Sequence, residues 1–210
     1  MKTIIASVLL LTATWAEATL VDSQSFGGGT IVDGNRVGQV FTGNFTAAAT
    51  GNQVLGITVN LTVTGGNDGN LYAYLVAPNG TLVLLLNQPG VTTGNPMGYA
   101  GSGFSNITLK DGTAANGSIQ TASETPGAAV TGTFNAAGTL GTFNSSSANG
   151  NWELFFADMT KGGGNSTLNG WSLNITVVPE PVNLALVLLG AMLLTLWILR
   201  WTCWTKNPLK

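Results

Sequence analysis

Residues 56–87 read GITVNLTVTGGNDGNLYAYLVAPNGTLVLLLN. The first half alternates strictly. Ile57, Val59, Leu61 and Val63 are separated by Thr58, Asn60 and Thr62, the pattern of a strand with one dry face and one wet face. Asn67-Asp68-Gly69 then marks a turn. In the next stretch Leu71, Ala73 and Leu75 alternate with Tyr72, Tyr74 and Val76, so both faces of that strand are apolar. Pro78-Asn79-Gly80 is a tight-turn sequence, and Leu82 to Leu86 runs back as the second arm of a hairpin.

The same period of two recurs along the chain. Phe104 to Leu109 reads as a strand, Ala129 to Phe134 as a weaker one. Trp152, Leu154 and Phe156 alternate with Glu153, Phe155 and Ala157. Trp171, Leu173, Ile175 and Val177 alternate with Ser172, Asn174 and Thr176 and close the domain. Between about residues 21 and 177 there is no amphipathic helical pattern, and glycine-rich turns separate the strands. An all-β sandwich or jelly roll is the expected fold. The long connections 88–103 and 111–127 are where loop-borne function would lie.

Composition narrows the function. Of 210 residues only 8% are charged, against roughly 25% in an average globular protein. From Thr19 to Pro181 three positive side chains face eight acidic ones, a net of −5. Without a basic patch, nucleic acid is excluded as the expected partner. There is no histidine, so the commonest general base and metal ligand are both missing. The single Cys203 lies beyond the β region, which therefore forms no internal disulfide. Glu153 and Asp158 are the one close pair of strand carboxylates, but their opposite parity sends them to opposite faces. No enzyme is expected.

The two ends read as addresses. Residues 1–18, MKTIIASVLLLTATWAEA, have a positive start at Lys2, an apolar run from Ile4 to Leu11 and the small-x-small triplet Ala16-Glu17-Ala18. This is a signal-peptide pattern, with cleavage expected after Ala18. Residues 182–199 are apolar except for Asn183 and Thr195. As a helix they would cover about 27 Å, near the thickness of a bilayer core. Trp197, Trp201 and Trp204 cluster at the far end, followed by the positive Lys206 and Lys210, as interface and positive-inside preferences require. The expected location is outside the cytoplasm, with a C-terminal inner-membrane anchor and possible release to the surface or matrix.

Val178-Pro179-Glu180-Pro181, one apolar helix and a basic tail resemble the PEP-CTERM sorting signal of Gram-negative bacteria. That resemblance implies processing by an exosortase at or near these four residues, within an exopolysaccharide or biofilm system. The tail is longer and less basic than the Arg cluster usual in that family. Residues 178–210 are thus assigned to a sorting and anchor segment.

A second resemblance covers about residues 50–177. Gly69-Asn70-Leu71, Ala77-Pro78-Asn79-Gly80-Thr81, Gly150-Asn151-Trp152 and Leu168-Asn169-Gly170-Trp171-Ser172-Leu173 are similar, in order and spacing, to motifs of the proprotein convertase P-domain. That family is a β jelly roll that stabilises a subtilisin-like serine protease. The resemblance also implies calcium as a candidate cofactor, with Asp158 and Asp68 as ligands beside carbonyls of the Lys161–Gly164 loop. The family's Gly-Asp-Leu acid is replaced here by Asn70.

Trp152 and Trp171 are in phase with core residues and are assigned to the interior. Tyr72, Tyr74 and Tyr99 are the candidate ligand-contact aromatics. Sequons at Asn44, Asn60, Asn79, Asn106, Asn116, Asn144, Asn165 and Asn174 are candidate glycosylation sites. The expected function is that of an exported, membrane-tethered, non-enzymatic adhesion or interaction module associated with exopolysaccharide. The alternatives are a carbohydrate-binding module, and an accessory P-domain acting in trans on a subtilisin-like protease.

Overall fold

The computed structural model describes residues 20–47, 52–122, 125–178 and 188–197. It is all-β, with two sheets sharing one hydrophobic core. The strands are β1 (Leu20–Phe26), β2 (Gly29–Ile31), β3 (Gln39–Phe45), β4 (Gln53–Thr64), β5 (Leu71–Val76), β6 (Leu82–Asn87), β7 (Gly103–Lys110), β8 (Thr133–Asn135), β9 (Gly150–Asp158) and β10 (Ser166–Val178).

The larger sheet has the order β1-β10-β4-β7-β8, with β2 also paired to β10. The smaller has the order β3-β9-β5-β6. All pairings are antiparallel except β7–β8. The expected hairpin is present as β5–β6. Its ladder shifts between Ala73 and Tyr74, so Leu85 is an extra residue. That bulge lets the consecutive Leu85 and Leu86 both be fully buried. The expected strand at 129–134 shrinks to β8 plus a single bridge from Val130 to Phe104.

The inward stripes meet as the periodicity requires. Val59, Leu61 and Val63 of the larger sheet and Leu71, Ala73, Leu75, Leu154 and Phe156 of the smaller are fully buried. Trp152 and Trp171 are interior residues. The Trp152 indole N–H donates to the Ala148 carbonyl at 2.8 Å, and Phe143 meets its ring edge-on at 5.1 Å. The indole is thereby buried without leaving its donor unpaired.

One strand edge of the smaller sheet is covered. Ala137 and Gly138 donate to the carbonyls of Leu85 and Leu84 along the open side of β6. Along β6 the 137–138 segment thus pairs backbone that otherwise promotes edge-to-edge association. On the inner face of β3, the Phe26 ring lies over Gly43, where an added Cβ would fall 2.5 Å from that ring.

Residues 188–197 are helical and exposed. Ten helical residues extend only about 15 Å. Among the described residues no helix is long and apolar enough to cross a membrane, so the expected 182–199 span is not met by the described helix. The remainder of that segment, the leader 1–18 and Pro179, Glu180 and Pro181 lie outside the described residues. Val178 ends β10, opposite Gln53.

Candidate functional site

Two places concentrate chemistry, and both are consequences of β5 and β9 lying side by side. The first is the outward face of the smaller sheet. Its register aligns Val40, Phe155, Tyr74 and Leu84 in one row. Tyr74 stacks on Phe155 with centroids 4.5 Å apart and planes 10° from parallel, and Tyr72 meets Phe155 edge-on at 6.5 Å. Val40 is 51% exposed and Leu82 is 52% exposed. Strands with apolar residues on both faces normally lie between two layers. Here the second layer is missing among the described residues, and a contiguous apolar surface remains. Tyr72 and Tyr74 are therefore half-exposed. Tyr99 differs: it is 7% exposed. Its ring lies against Gly90, where an added Cβ would fall 2.2 Å away, and its backbone bonds to Pro89 and Gly69. It is a packing residue of the 88–102 connection.

The second place is the end of β9. Asp158 is fully buried. Its Oδ1 accepts the Thr160 N–H at 3.1 Å, and the Gly34 N–H also faces the carboxylate. Burial pushes the Asp158 carboxyl above the ordinary carboxylate range. The Thr160 and Gly34 N–H groups oppose that shift, and the charge of Asp33 adds to it. Glu153 is exposed while Asp158 is inside, so the two carboxylates do not share a cleft.

Asn70 reaches into the same corner. Its Nδ2 donates to the Thr160 carbonyl at 2.9 Å and to the Gly162 carbonyl at 2.8 Å. Asp33 accepts the Gly162 N–H at 2.8 Å. Asp68 is directed elsewhere, with Oδ1 accepting the Gly103 N–H at 2.8 Å. Among the described residues no group of three or more His, Cys, Asp or Glu converges as a metal set. Calcium needs six to eight oxygens. The corner instead aims the Asn70 amide at the Thr160 carbonyl and at Gly162, one of the loop carbonyls nominated as ligands, so the residues present do not fit the cation expected at Asp158 and Asp68.

Of the sequons, Asn44, Asn79, Asn106, Asn116, Asn144 and Asn165 are exposed. Asn60 and Asn174 are half-buried on the outer face of the larger sheet and bonded together, Asn174 Nδ2 donating to Asn60 Oδ1 at 2.9 Å. Those two carboxamides are committed to the sheet.

The features so far define a class: a two-sheet β domain whose accessible chemistry is an apolar face and a hydrogen-bonded corner. The chain belongs to the proprotein convertase P-domain family, whose model matches residues 54–175. Among solved structures it is similar to a serine protease of Aeromonas sobria in complex with its chaperone, at 16% identity and a TM-score of 0.49, covering 78% of this chain and 28% of that one. The serine protease of Aeromonas sobria on its own gives 16% identity and a TM-score of 0.47, covering 77% and 28%. The chain thus spans under a third of the length of those structures. No curated protein matches it.

Proposed function

We propose that this chain is a non-enzymatic accessory P-domain of jelly-roll type that docks in trans on a subtilisin-like serine protease and stabilises it. The observation that carries this reading is the family match over residues 54–175, which takes in strands of both sheets. The apolar face of Val40, Tyr72, Tyr74, Phe155 and Leu84 supplies the docking surface. A half-exposed aromatic cluster with aliphatic neighbours is the composition of an interface centre. The test is to co-express the full chain with subtilisin-like proteases of the same host and measure protease half-life and complex formation. A longer half-life, abolished by Phe155→Glu in a folded variant, supports the reading. Unchanged half-lives with no complex overturn it.

We also propose a location for this activity: exported, tethered through the C-terminus, and sorted by an exosortase-type enzyme at Val178 to Pro181 into an exopolysaccharide-rich envelope. The leader-like residues 1–18 and the Pro-Glu-Pro segment support it. A glycan-adhesive role would use the larger sheet, whose outer face is lined by Ser, Thr and Asn. Intact-mass measurement on membrane and matrix fractions tests the sorting. A matrix form ending near Pro181 supports it; only a membrane form running from Thr19 to Lys210 argues against it.

A further inference from the structure

The loop after β9 is built from Gly162, Gly163 and Gly164, with φ of 122°, 98° and 84°. Side-chain-bearing residues rarely adopt these angles. The resulting path turns the carbonyls of Thr160 and Gly162 toward one point. Converging carbonyl oxygens repel one another unless something positive lies between them. A bound cation is one solution. The structure shows another: Asn70 Nδ2 stands 2.9 Å and 2.8 Å from the two oxygens. Only the NH2 end of a carboxamide can satisfy two acceptors at once, so the orientation of the amide is fixed by its partners.

Asn70 is held so that it can do nothing else. It is 1% exposed and closes the short 3-10 turn Asp68–Asn70. Gly69 donates to the Tyr99 carbonyl at 2.9 Å, and an added Cβ on Gly69 would sit 2.3 Å from the Met97 carbonyl oxygen. The Asn70 carbonyl accepts the Met159 N–H at 2.8 Å. The buried Asp158 is paired in the ladder with Leu71, the residue after Asn70. Asp33 takes the Gly162 N–H, and the Arg36 side chain donates to the Met159 carbonyl at 2.7 Å. The 159–162 segment is thus held from one side by the Asn70 carboxamide and from the other by Asp33 and Arg36.

We infer that Asn70 does the work of a divalent cation at this corner, so that the domain holds its 159–165 loop without calcium, and that Asn70→Asp alone opens a calcium site there. Placing a carboxylate oxygen where Nδ2 now stands sets three oxygens against one another. Those three oxygens are a cluster that calcium, completed by water, is suited to relieve.

The experiment is thermal unfolding of the full chain in excess EDTA and in about millimolar calcium, the range of weak extracellular sites. Wild type is expected to melt at the same temperature in both. Asn70→Asp is expected to melt roughly 5 °C lower in EDTA, as loss of two buried hydrogen bonds implies, and to recover at least half of that on saturation with calcium. Asn70→Ala is expected to melt lower than wild type and to ignore calcium. The inference is overturned if wild type gains stability saturably with calcium, since an ion and not the amide would then be holding the loop. It is equally overturned if Asn70→Ala melts like wild type, or if Asn70→Asp folds but is indifferent to calcium. Should Asn70→Asp fail to fold, the wild-type and Asn70→Ala measurements still decide whether the amide replaces the ion.

Discussion

The two outward faces of the sandwich are opposites. On the larger sheet, Ser23 Oγ donates to Asn174, which donates to Thr58 at 3.2 Å and to Asn60 at 2.9 Å; Asn60 donates to Thr108 at 3.1 Å. These uncharged side chains cross-link three strand boundaries and satisfy one another. On the smaller sheet the corresponding row is Val40, Phe155, Tyr74 and Leu84, and no described element covers it. One face is complete in water and the other is not. An apolar surface costs little to the fold but gains from a second molecule, so the asymmetry marks the side on which a partner is expected.

The largest effect tests what the faces share. Trp152 belongs to the core beneath both. Replacing it with Ala removes a fully buried indole, its bond to Ala148 and its contact with Phe143. A loss of about 3–5 kcal/mol is expected, measured as a shift in the denaturant midpoint. A loss under about 1 kcal/mol would mean that the two sheets do not depend on a common core.

Next come the faces themselves. Phe155→Glu places a charge in the aromatic row and should weaken protease binding by at least about 100-fold, or roughly 3 kcal/mol. Asn174→Ala removes three hydrogen bonds of the opposite face. It should lower stability by about 1 kcal/mol and leave binding unchanged. Titration of both variants against the same protease decides the matter. Equal losses of affinity would erase the proposed difference between the faces.

The central strands of both sheets were legible in sequence. The alternation from Ile57 to Val63 and from Trp171 to Val177 carries through to β4 and β10, because apolar residues fill those inward positions. β1 and β3 gave no such signal. On β1 the inward side holds Asp22 and Gln24 before Phe26; on β3, Gly43 stands between Phe41 and Phe45 and breaks the apolar pattern. That glycine is demanded by the Phe26 ring lying on it, a contact between strands that are not neighbours in their sheets. Tyr99 was misread as exposed because it sits in an irregular connection, where no period reports burial. Asn70 was legible only as a departure from a family acid. Its partners at Thr160 and Gly162 lie some ninety residues away, and nothing local to Gly69-Asn70-Leu71 announces them.

The smallest effect concerns pH and belongs to neither face. Asp158 has its folded pKa raised above the ordinary 3.8, chiefly by burial. A carboxyl with a raised folded-state pKa binds its proton more tightly when folded than when unfolded. Its contribution is therefore fully present below the unfolded value and is lost as pH rises through the folded one. Asp158→Asn keeps an acceptor for the Thr160 N–H but cannot ionise. Relative to this variant, wild type should lose stability between about pH 3.8 and the raised folded value, then run parallel to it. Urea midpoints of the two proteins across pH 3 to 8 measure the difference. If wild type instead gains on the variant as pH rises, the carboxylate form is the one that the Thr160 and Gly34 N–H groups favour, and hydrogen bonding outweighs burial at the end of β9.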